Sequence, residues 1–430
     1  MMVKEIFKKI IPQVFINWYH FLLSLLGAVF YRFPGKKMVF IGVTGTNGKS
    51  TVVELISKIL EEAGFPVASF SSIQFKIAGK EQPNLLKMTM PGRFQHQKFL
   101  RKAFDSSCRY AVVEVTSEGI KQHRHKFINF QIAVFTNLAP EHIEAHGSFE
   151  KYRKAKGKLF QLTKGIHVLN WDDENVDYFQ QFFAKEKYGY GINFKLEINP
   201  PGSPPKSVQG NWKFIKATDV NISSKGIDFS IKNTQFHLNL LGGFNVYNAL
   251  AAISVGLSQG ISLETCKQAL EKVEGIPGRM EIVISKPFYV FVDYAFTPNA
   301  LEKVYQTLIT NYQLPATKLI CVLGAAGGGR DKWKRPVLGK LAAKYCHEII
   351  ITNEDPYDEN PLEIINQVAK EVESISVNQR THQRKSASIY KILDRKEAIR
   401  EALKLAHPQD VVIITGKGSE PWICIERGKK

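Results

Sequence analysis

Met38-Val39-Phe40-Ile41-Gly42-Val43-Thr44-Gly45-Thr46-Asn47-Gly48-Lys49-Ser50-Thr51, continued by Val52-Val53-Glu54-Leu55-Ile56-Ser57-Lys58-Ile59-Leu60, is the stretch on which the reading of this 430-residue chain turns. The apolar run 38–41 enters as a buried strand, and the run 52–60 leaves with helical spacing, with Gly64 placed to end the helix. A glycine-rich turn between strand and helix lets backbone N–H groups converge on phosphate oxygens. The helix N-terminus adds its dipole, Lys49 a point charge, and the Ser50 hydroxyl a ligand for Mg²⁺. The strict phosphate-loop pattern places glycine where Val43 stands, so a plain glycine turn competes, but Gly48-Lys49-Ser50 in this setting favours a nucleotide triphosphate.

Around this stretch the chain is long enough for two or three domains. A formal net charge of +18 favours anionic partners, among them nucleotides, a membrane surface or nucleic acid. No nucleic-acid recognition module accompanies the charge, so nucleic acid is not an expected partner. Cys108, Cys266, Cys321, Cys346 and Cys424 are far apart and sit mostly in apolar surroundings, as reduced thiols of a cytosolic protein do.

Before the loop, Val14 to Tyr31 is apolar except for Asn17, His20 and Ser24, which fall on one narrow helical stripe. Lys4, Lys8 and Lys9 precede it; Arg32, Lys36 and Lys37 follow. Eighteen helical residues reach about 27 Å, borderline for a bilayer. A helix docked on the protein or lying in the membrane interface is favoured over a span.

After the loop, Val67–Phe70, Tyr110–Val115 and Gln131–Phe135 read as strands, and Gln95–Phe104 and Phe149–Leu162 as helices. Glu114 closes its strand as the carboxylate of a phosphate-loop enzyme does when it holds the metal opposite Ser or Thr. Lys151, Arg153, Lys154, Lys156 and Lys158 read as a solvated helix face, and His142 and His146, by spacing alone, as surface histidines. Residues 190–243 look β-rich, and a small-residue helix runs from Gly243 to Leu257. Past a boundary near Gly275–Gly278, strands at 288–293, 318–324, 348–352 and 410–416 alternate with helices. That alternation predicts a parallel Rossmann-like sheet with its ligand site at the carboxyl ends of the strands.

Nine blocks in order make the chain from about Lys37 onward resemble a Mur ligase, closest to the tripeptide synthetases. They are Thr44–Ser50; Glu114–Ser117; Thr136-Asn137-Leu138 with His142 and His146-Gly147; Tyr152-x-x-Ala155-Lys156; Gly243–Asn248; Gly278–Glu281; Asp293-Tyr294-Ala295 with Thr297-Pro298; Gly329-Arg330-Asp331 with Lys334-Arg335-Pro336; and Gly416-Lys417-Gly418. The resemblance implies an α/β protein with a short apolar N-terminal segment (1–36), a central ATP-binding domain with a parallel sheet (37–277) and a Rossmann-like C-terminal domain (278–430).

It also implies an ATP-dependent ligase that joins an amino acid to a UDP-muramoyl-peptide of cell-wall peptidoglycan through an acyl phosphate, in the cytoplasm. The sequence does not fix the oligomeric state; a monomer is the expectation. The alternatives are a folylpolyglutamate- or cyanophycin-type ligase, or a membrane-associated nucleotide-binding scaffold without activity. By motif match, Thr44, Gly45, Thr46, Asn47, Gly48, Lys49, Ser50 and Thr51 would hold ATP, Ser50 and Glu114 one Mg²⁺, and His142 a second. Lys156 matches a lysine that the family carries as a carbamate. Asn245 and Asn248 would face the adenine side; Arg279, Asp293, Arg330 and Lys334 would complete the site; Thr89 and Ser117 would approach the muramoyl peptide.

This chain departs from the family pattern in four places. The segment 1–37 stands where a UDP-binding domain is usual, leaving open a lipid-linked acceptor and a membrane-surface contact. Phe296 replaces a histidine. The amino-acid loop reads Glu354-Asp355-Pro356-Tyr357, without the arginine of diaminopimelate-adding enzymes. Gly418-Ser419-Glu420 replaces Gly-His-Glu, with Glu420 still able to meet an ammonium group.

Overall fold

The computed structural model describes residues 12–86, 88–194, 211–312, 317–379, 387–425 and 428–429. Lys4, Lys8, Lys9 and the stretch 195–210 lie outside the described residues.

A nine-stranded sheet organises the first half. Its strands are β1 (Val39–Thr44), β2 (Val67–Phe70), β3 (Gln74–Ile77), β4 (Lys80–Pro83), β5 (Tyr110–Glu114), β6 (Phe130–Phe135), β7 (Ile166–Asn170), β8 (Glu186–Gly191) and β9 (Trp212–Lys216), in the spatial order β4-β3-β2-β5-β1-β6-β7-β8-β9. From β2 to β9 all neighbours are parallel; β3 and β4 form an antiparallel hairpin at the edge. Both faces of β1 are buried, and its side chains divide by alternation. Ile41 and Val43 join the core under the helices Lys49–Glu62 and Phe244–Ser258, while Met38 and Phe40 join the core on the other face, with Phe160 and Leu100. A continuous apolar run is what a strand covered on both sides requires. Three antiparallel strands, β10 (Thr218–Ser223), β11 (Gly226–Ile231) and β12 (Thr234–Leu238), add the β-rich flank.

The second sheet is built from β13 (Glu281–Ile284), β14 (Tyr289–Asp293), β15 (Leu319–Leu323), β16 (Glu348–Thr352), β17 (Ser388–Ile392) and β18 (Val411–Thr415), ordered β13-β14-β18-β15-β16-β17. It is parallel except for β13, which runs antiparallel to β14 at one edge. Leu319, Cys321 and Leu323 face one helical layer, Ile320 and Val322 the other. All five cysteines are buried free thiols.

The N-terminal helix, Gln13–Phe30, lies against the helix Arg93–Asp105. Contact is close at Gly27, where a Cβ would stand 3.3 Å from Phe94 Cα. Among the described residues no helix is long and apolar enough to cross a membrane.

Candidate active site

The carboxyl ends of β1, β5 and β6 face those of β14 across a cleft of about 480 Å³. On the first side, the turn after β1 has the conformation its glycines permit. Gly45 and Gly48 take φ of 153° and 80°, and a Cβ on either would overlap Thr136 Oγ1 or Asn248 Oδ1. Residues 136 and 137 clamp the turn: Thr136 Oγ1 and Asn137 Nδ2 both donate to Asn47 O, at 2.8 and 3.0 Å, and Asn47 N donates to Asn137 Oδ1 at 2.9 Å. Gly48 caps the helix Lys49–Glu62, whose first N–H groups therefore point into the cleft.

Lys49 Nζ donates to Thr46 O at 2.8 Å and lies 3.6 Å from Glu114 Oε1. Ser50 Oγ donates to Glu114 Oε2 at 2.7 Å and shares a 2.7 Å hydrogen bond with Ser72 Oγ. Ser72 N also donates to Glu114 Oε2, at 3.1 Å. Ser72 was not expected from the sequence. It follows the carboxyl end of β2, and that position was the signal available.

The expected surface histidines and one lysine of the expected solvated face turn inward. His142 is half-buried and His146 buried, because the short helix Ile143–His146 folds back under Phe149–Leu162. His146 Nε2 is bonded to Ser117 Oγ at 3.1 Å, so Ser117 belongs to that support. Burial pushes the His142 imidazolium down to about 2, and Arg330, Lys156, Lys334 and Lys49 push in the same direction. Lys156 is 2 % exposed, donates to Gly45 O at 2.6 Å and sits over the Tyr152 ring at 4.6 Å. Burial first, then Lys49, drives its ammonium well below the usual lysine range.

The other wall belongs to the second sheet. Arg279, Asp293, Arg330, Lys334 and Asp355 line the cleft, as do Thr89, Asn245 and Asn248 from the first half. Asp293 is also an anchor, accepting from Met280 N at 2.8 Å and Ala295 N at 2.7 Å; burial raises its carboxyl above the ordinary range, against the pull of Arg279. Asn248 rests on Gly48 and donates to Asn245 Oδ1 at 2.8 Å, so this pair supports the phosphate turn directly. Phe296 lines the wall 4.9 Å from Lys334 Nζ.

The remaining expected residues stand behind this surface. Thr44 ends β1, and Lys156 lies under the turn, bonded to Gly45 O. Tyr357 stacks on Arg330 at 6.0 Å, Gly418 lies beside Arg279, and Glu420 Oε2 accepts from Gly418 N at 3.0 Å. Asp355 pairs with Lys417 at 2.7 Å. Asp172, Tyr247 and Lys303 also line the cleft, and none of them is a site residue expected from the sequence.

Polar contacts that join the walls include Lys334 Nζ with Glu141 Oε1 at 3.0 Å, Asp331 accepting from Ile143 N at 3.3 Å and Glu144 N at 2.9 Å, Lys332 N donating to Glu144 Oε1 at 2.8 Å, and Arg279 Nη2 donating to Ser72 Oγ at 3.1 Å.

Among the described residues no group of three or more His, Cys, Asp or Glu side chains forms a metal cage. Ser50 and Glu114 offer two adjacent oxygen donors at the edge of a polar cleft. That suits a hard divalent cation that keeps waters and takes its other ligands from phosphate.

A phosphate turn on one α/β lobe, faced by cations from a second parallel-sheet lobe, defines a two-lobed nucleotide-dependent enzyme of the ligase type. Residues 43–256 match the Mur ligase middle domain and 278–418 the glutamate ligase domain of Mur ligases. The chain is 35% identical to the UDP-N-acetylmuramoyl-L-alanyl-D-glutamate–2,6-diaminopimelate ligase of Syntrophomonas wolfei, over 94% of this chain and 78% of the relative. It is 34% identical to the UDP-N-acetylmuramyl-tripeptide synthetase of Roseiflexus, over 93% and 77%. A solved diaminopimelate ligase of the same type superposes with TM-score 0.56 at 28% identity, covering 91% of this chain and 75% of that one. Mycobacterium tuberculosis folylpolyglutamate synthase, at 16% identity and TM-score 0.69 over 92% of each chain, shares the fold. The chain belongs to the Mur ligase family.

Proposed function

We propose that this protein is an ATP-dependent ligase that adds an amino acid to a UDP-N-acetylmuramoyl-peptide, working in the cytoplasm, with residues 1–36 in contact with the membrane surface and with 37–277 and 278–430 as its two catalytic lobes. The observation that carries the reading is the facing of Gly48-Lys49-Ser50 by Arg279, Arg330 and Lys334 across one cleft.

In this reading the substrate carboxylate attacks the γ-phosphorus of ATP, ADP leaves, and the acyl phosphate is attacked by the amine. The amine nitrogen loses its proton, and the tetrahedral adduct collapses to amide and inorganic phosphate. No protein nucleophile is required; positioning and charge neutralisation do the catalysis. Lys49 holds the β- and γ-phosphates, and Arg330 and Lys334 cover them from the other lobe. Thr89, and Ser117 with His146 behind it, orient the acceptor. Asp355, Tyr357, Gly418 and Glu420 frame the amino acid.

Ser50 and Glu114 would hold one Mg²⁺ and His142 would help hold a second; bound there, the ions would supply Lewis-acid neutralisation of phosphate charge. The neutral imidazole of His142 is the form that binds metal. Lys156, held toward the neutral amine, is in the form that takes up CO₂ as a carbamate.

The test is phosphate release from ATP with UDP-muramoyl-dipeptide and, in turn, lysine, diaminopimelate, ornithine and alanine. Amino-acid-dependent release is expected, and is lost in Lys49→Ala and in Lys156→Ala, each with an unchanged melting temperature. Full activity in both variants would remove the mechanism.

A further inference from the structure

The helix Gln13–Phe30 is amphipathic in the inverse sense for a surface helix. Its stripe residues His20 and Ser24 point into the protein: Ser24 Oγ donates to His123 O at 2.9 Å, and His20 Nδ1 is bonded to the Arg93 guanidinium. Gly27 and Ala28 are buried on the same side. The outward side carries Val14, Phe15, Trp18, Leu22, Leu26 and Phe30; Phe15, Trp18 and Phe30 are 65, 59 and 69 % exposed. The stripe continues onto the neighbouring helix through Phe94, whose ring is 5.4 Å from that of Phe30. An apolar face of this length, on a helix with no charged residue, needs a covering partner.

The charges around the face identify that partner. No acidic residue occurs from Pro12 to Lys37. Exposed Arg32, Lys36 and Lys37 follow the helix, and Lys98 and Lys102 are exposed on the neighbouring helix Arg93–Asp105. Asp105, the one acidic side chain of that helix, is paired with Arg101 at 2.6 Å. Arg93 lies over the Tyr19 ring. Cations rimming an apolar face with Trp and Tyr upon it complement an anionic lipid surface, where aromatic rings settle at headgroup depth and cations meet phosphate. A second copy would bring a like-charged rim, on a chain of net charge +18, against the first.

We propose that the helix Gln13–Phe30, with Phe94, is an in-plane anchor that seats the ligase on an anionic bilayer, apolar face down, while His20 and Ser24 keep it fixed to the protein. Ser24 grips residue 123, just beyond the short helix Ser117–Lys121. The seating deepens the membrane contact proposed above and is independent of the ligase chemistry.

The experiment is flotation of the full-length protein with vesicles of phosphatidylglycerol and phosphatidylcholine, beside vesicles of phosphatidylcholine alone. The wild type is expected to float with the anionic vesicles, at least tenfold less with the neutral ones, and less as salt is raised. Leu22→Glu/Leu26→Glu is expected to stay at the bottom while keeping its melting temperature and phosphate release. A wild type that does not float overturns the proposal, as does a double variant that floats equally. Sedimentation as a dimer that the double variant dissociates, with no vesicle binding, assigns the face to a second copy instead. Flotation without any phosphate release leaves the anchor standing and removes only the ligase.

Discussion

Glu54 shows how a residue beside the site carries a pH dependence that the chemistry does not need. It sits on the phosphate-turn helix, 6 % exposed, with Oε2 accepting from Gln74 Nε2 at 3.0 Å and Oε1 without a hydrogen-bond partner among the described residues. Burial raises its carboxyl to about 7, against the hydrogen bond from Gln74 and the charge of Lys76. A carboxyl whose folded-state value is raised favours the native state while protonated. Its contribution is therefore full below its unfolded value, near pH 4.5, and is lost as pH rises through about 7. The shift corresponds to roughly 3 kcal/mol at most. Glu54→Gln removes the titration and keeps a hydrogen bond to residue 74. Denaturant melts at pH 5 and pH 8 are expected to show the variant gaining on the wild type at the higher pH by about 1–3 kcal/mol, with amino-acid-dependent phosphate release unaltered. A difference that does not change with pH would refute the assignment.

At the scale of elements, the phosphate turn is where sequence and geometry agree most closely. Its function depends on backbone that only glycine adopts freely, at Gly45 and Gly48. Gly48→Ala forces φ of 80° on an alanine and drives its Cβ into Asn248, so the turn must shift away from the phosphates. ATP affinity is expected to fall at least tenfold by titration calorimetry, with Gly64→Ala, at the open end of the same helix, as the control that keeps it. Equal affinities would show that the turn tolerates the shift.

The same comparison explains what could and could not be read in advance. Buried parallel strands such as β1, β5, β15 and β16 announce themselves as apolar runs, because both faces are covered. Strand β4 is exposed throughout, so Lys80–Pro83 carries no period-two signal. Strand β8 carries Gly189 and Gly191, which weaken its strand pattern. Those glycines are there because Phe214 and Asp172 fill the space a Cβ would take, 2.6 and 2.7 Å away. His142 and His146 looked superficial because spacing says nothing of the helix Phe149–Leu162 that covers them. Lys156 was separable from its neighbours only through family resemblance, since its burial is set by tertiary packing.

For the whole molecule, the two lobes meet through a buried ion pair whose lysine the proposed mechanism also sets on the phosphates. Lys334 and Glu141 are 2 and 4 % exposed in side chain and 3.0 Å apart, and burial raises the Glu141 carboxyl against the stabilising pull of Lys334. Glu141 Oε2 has no hydrogen-bond partner among the described residues. A pair of this kind roughly cancels its own desolvation, yet removing one member strands the other, at about 3–5 kcal/mol. Lys334→Ala should therefore destabilise the closed arrangement far more than an exposed substitution does, and small-angle scattering should report a larger radius of gyration. Replacing both, as Glu141→Leu with Lys334→Met, deletes the stranded charge and should return the radius toward the wild-type value. Phosphate release should stay lost in both variants, because the second lobe no longer brings its lysine to the cleft. Closure restored together with activity would mean that Lys334 is a latch alone. Closure that the single variant leaves intact would mean that Asp331, Lys332 and Arg279 suffice to hold the lobes. Separating these outcomes decides whether one lysine both joins the lobes and serves the phosphates.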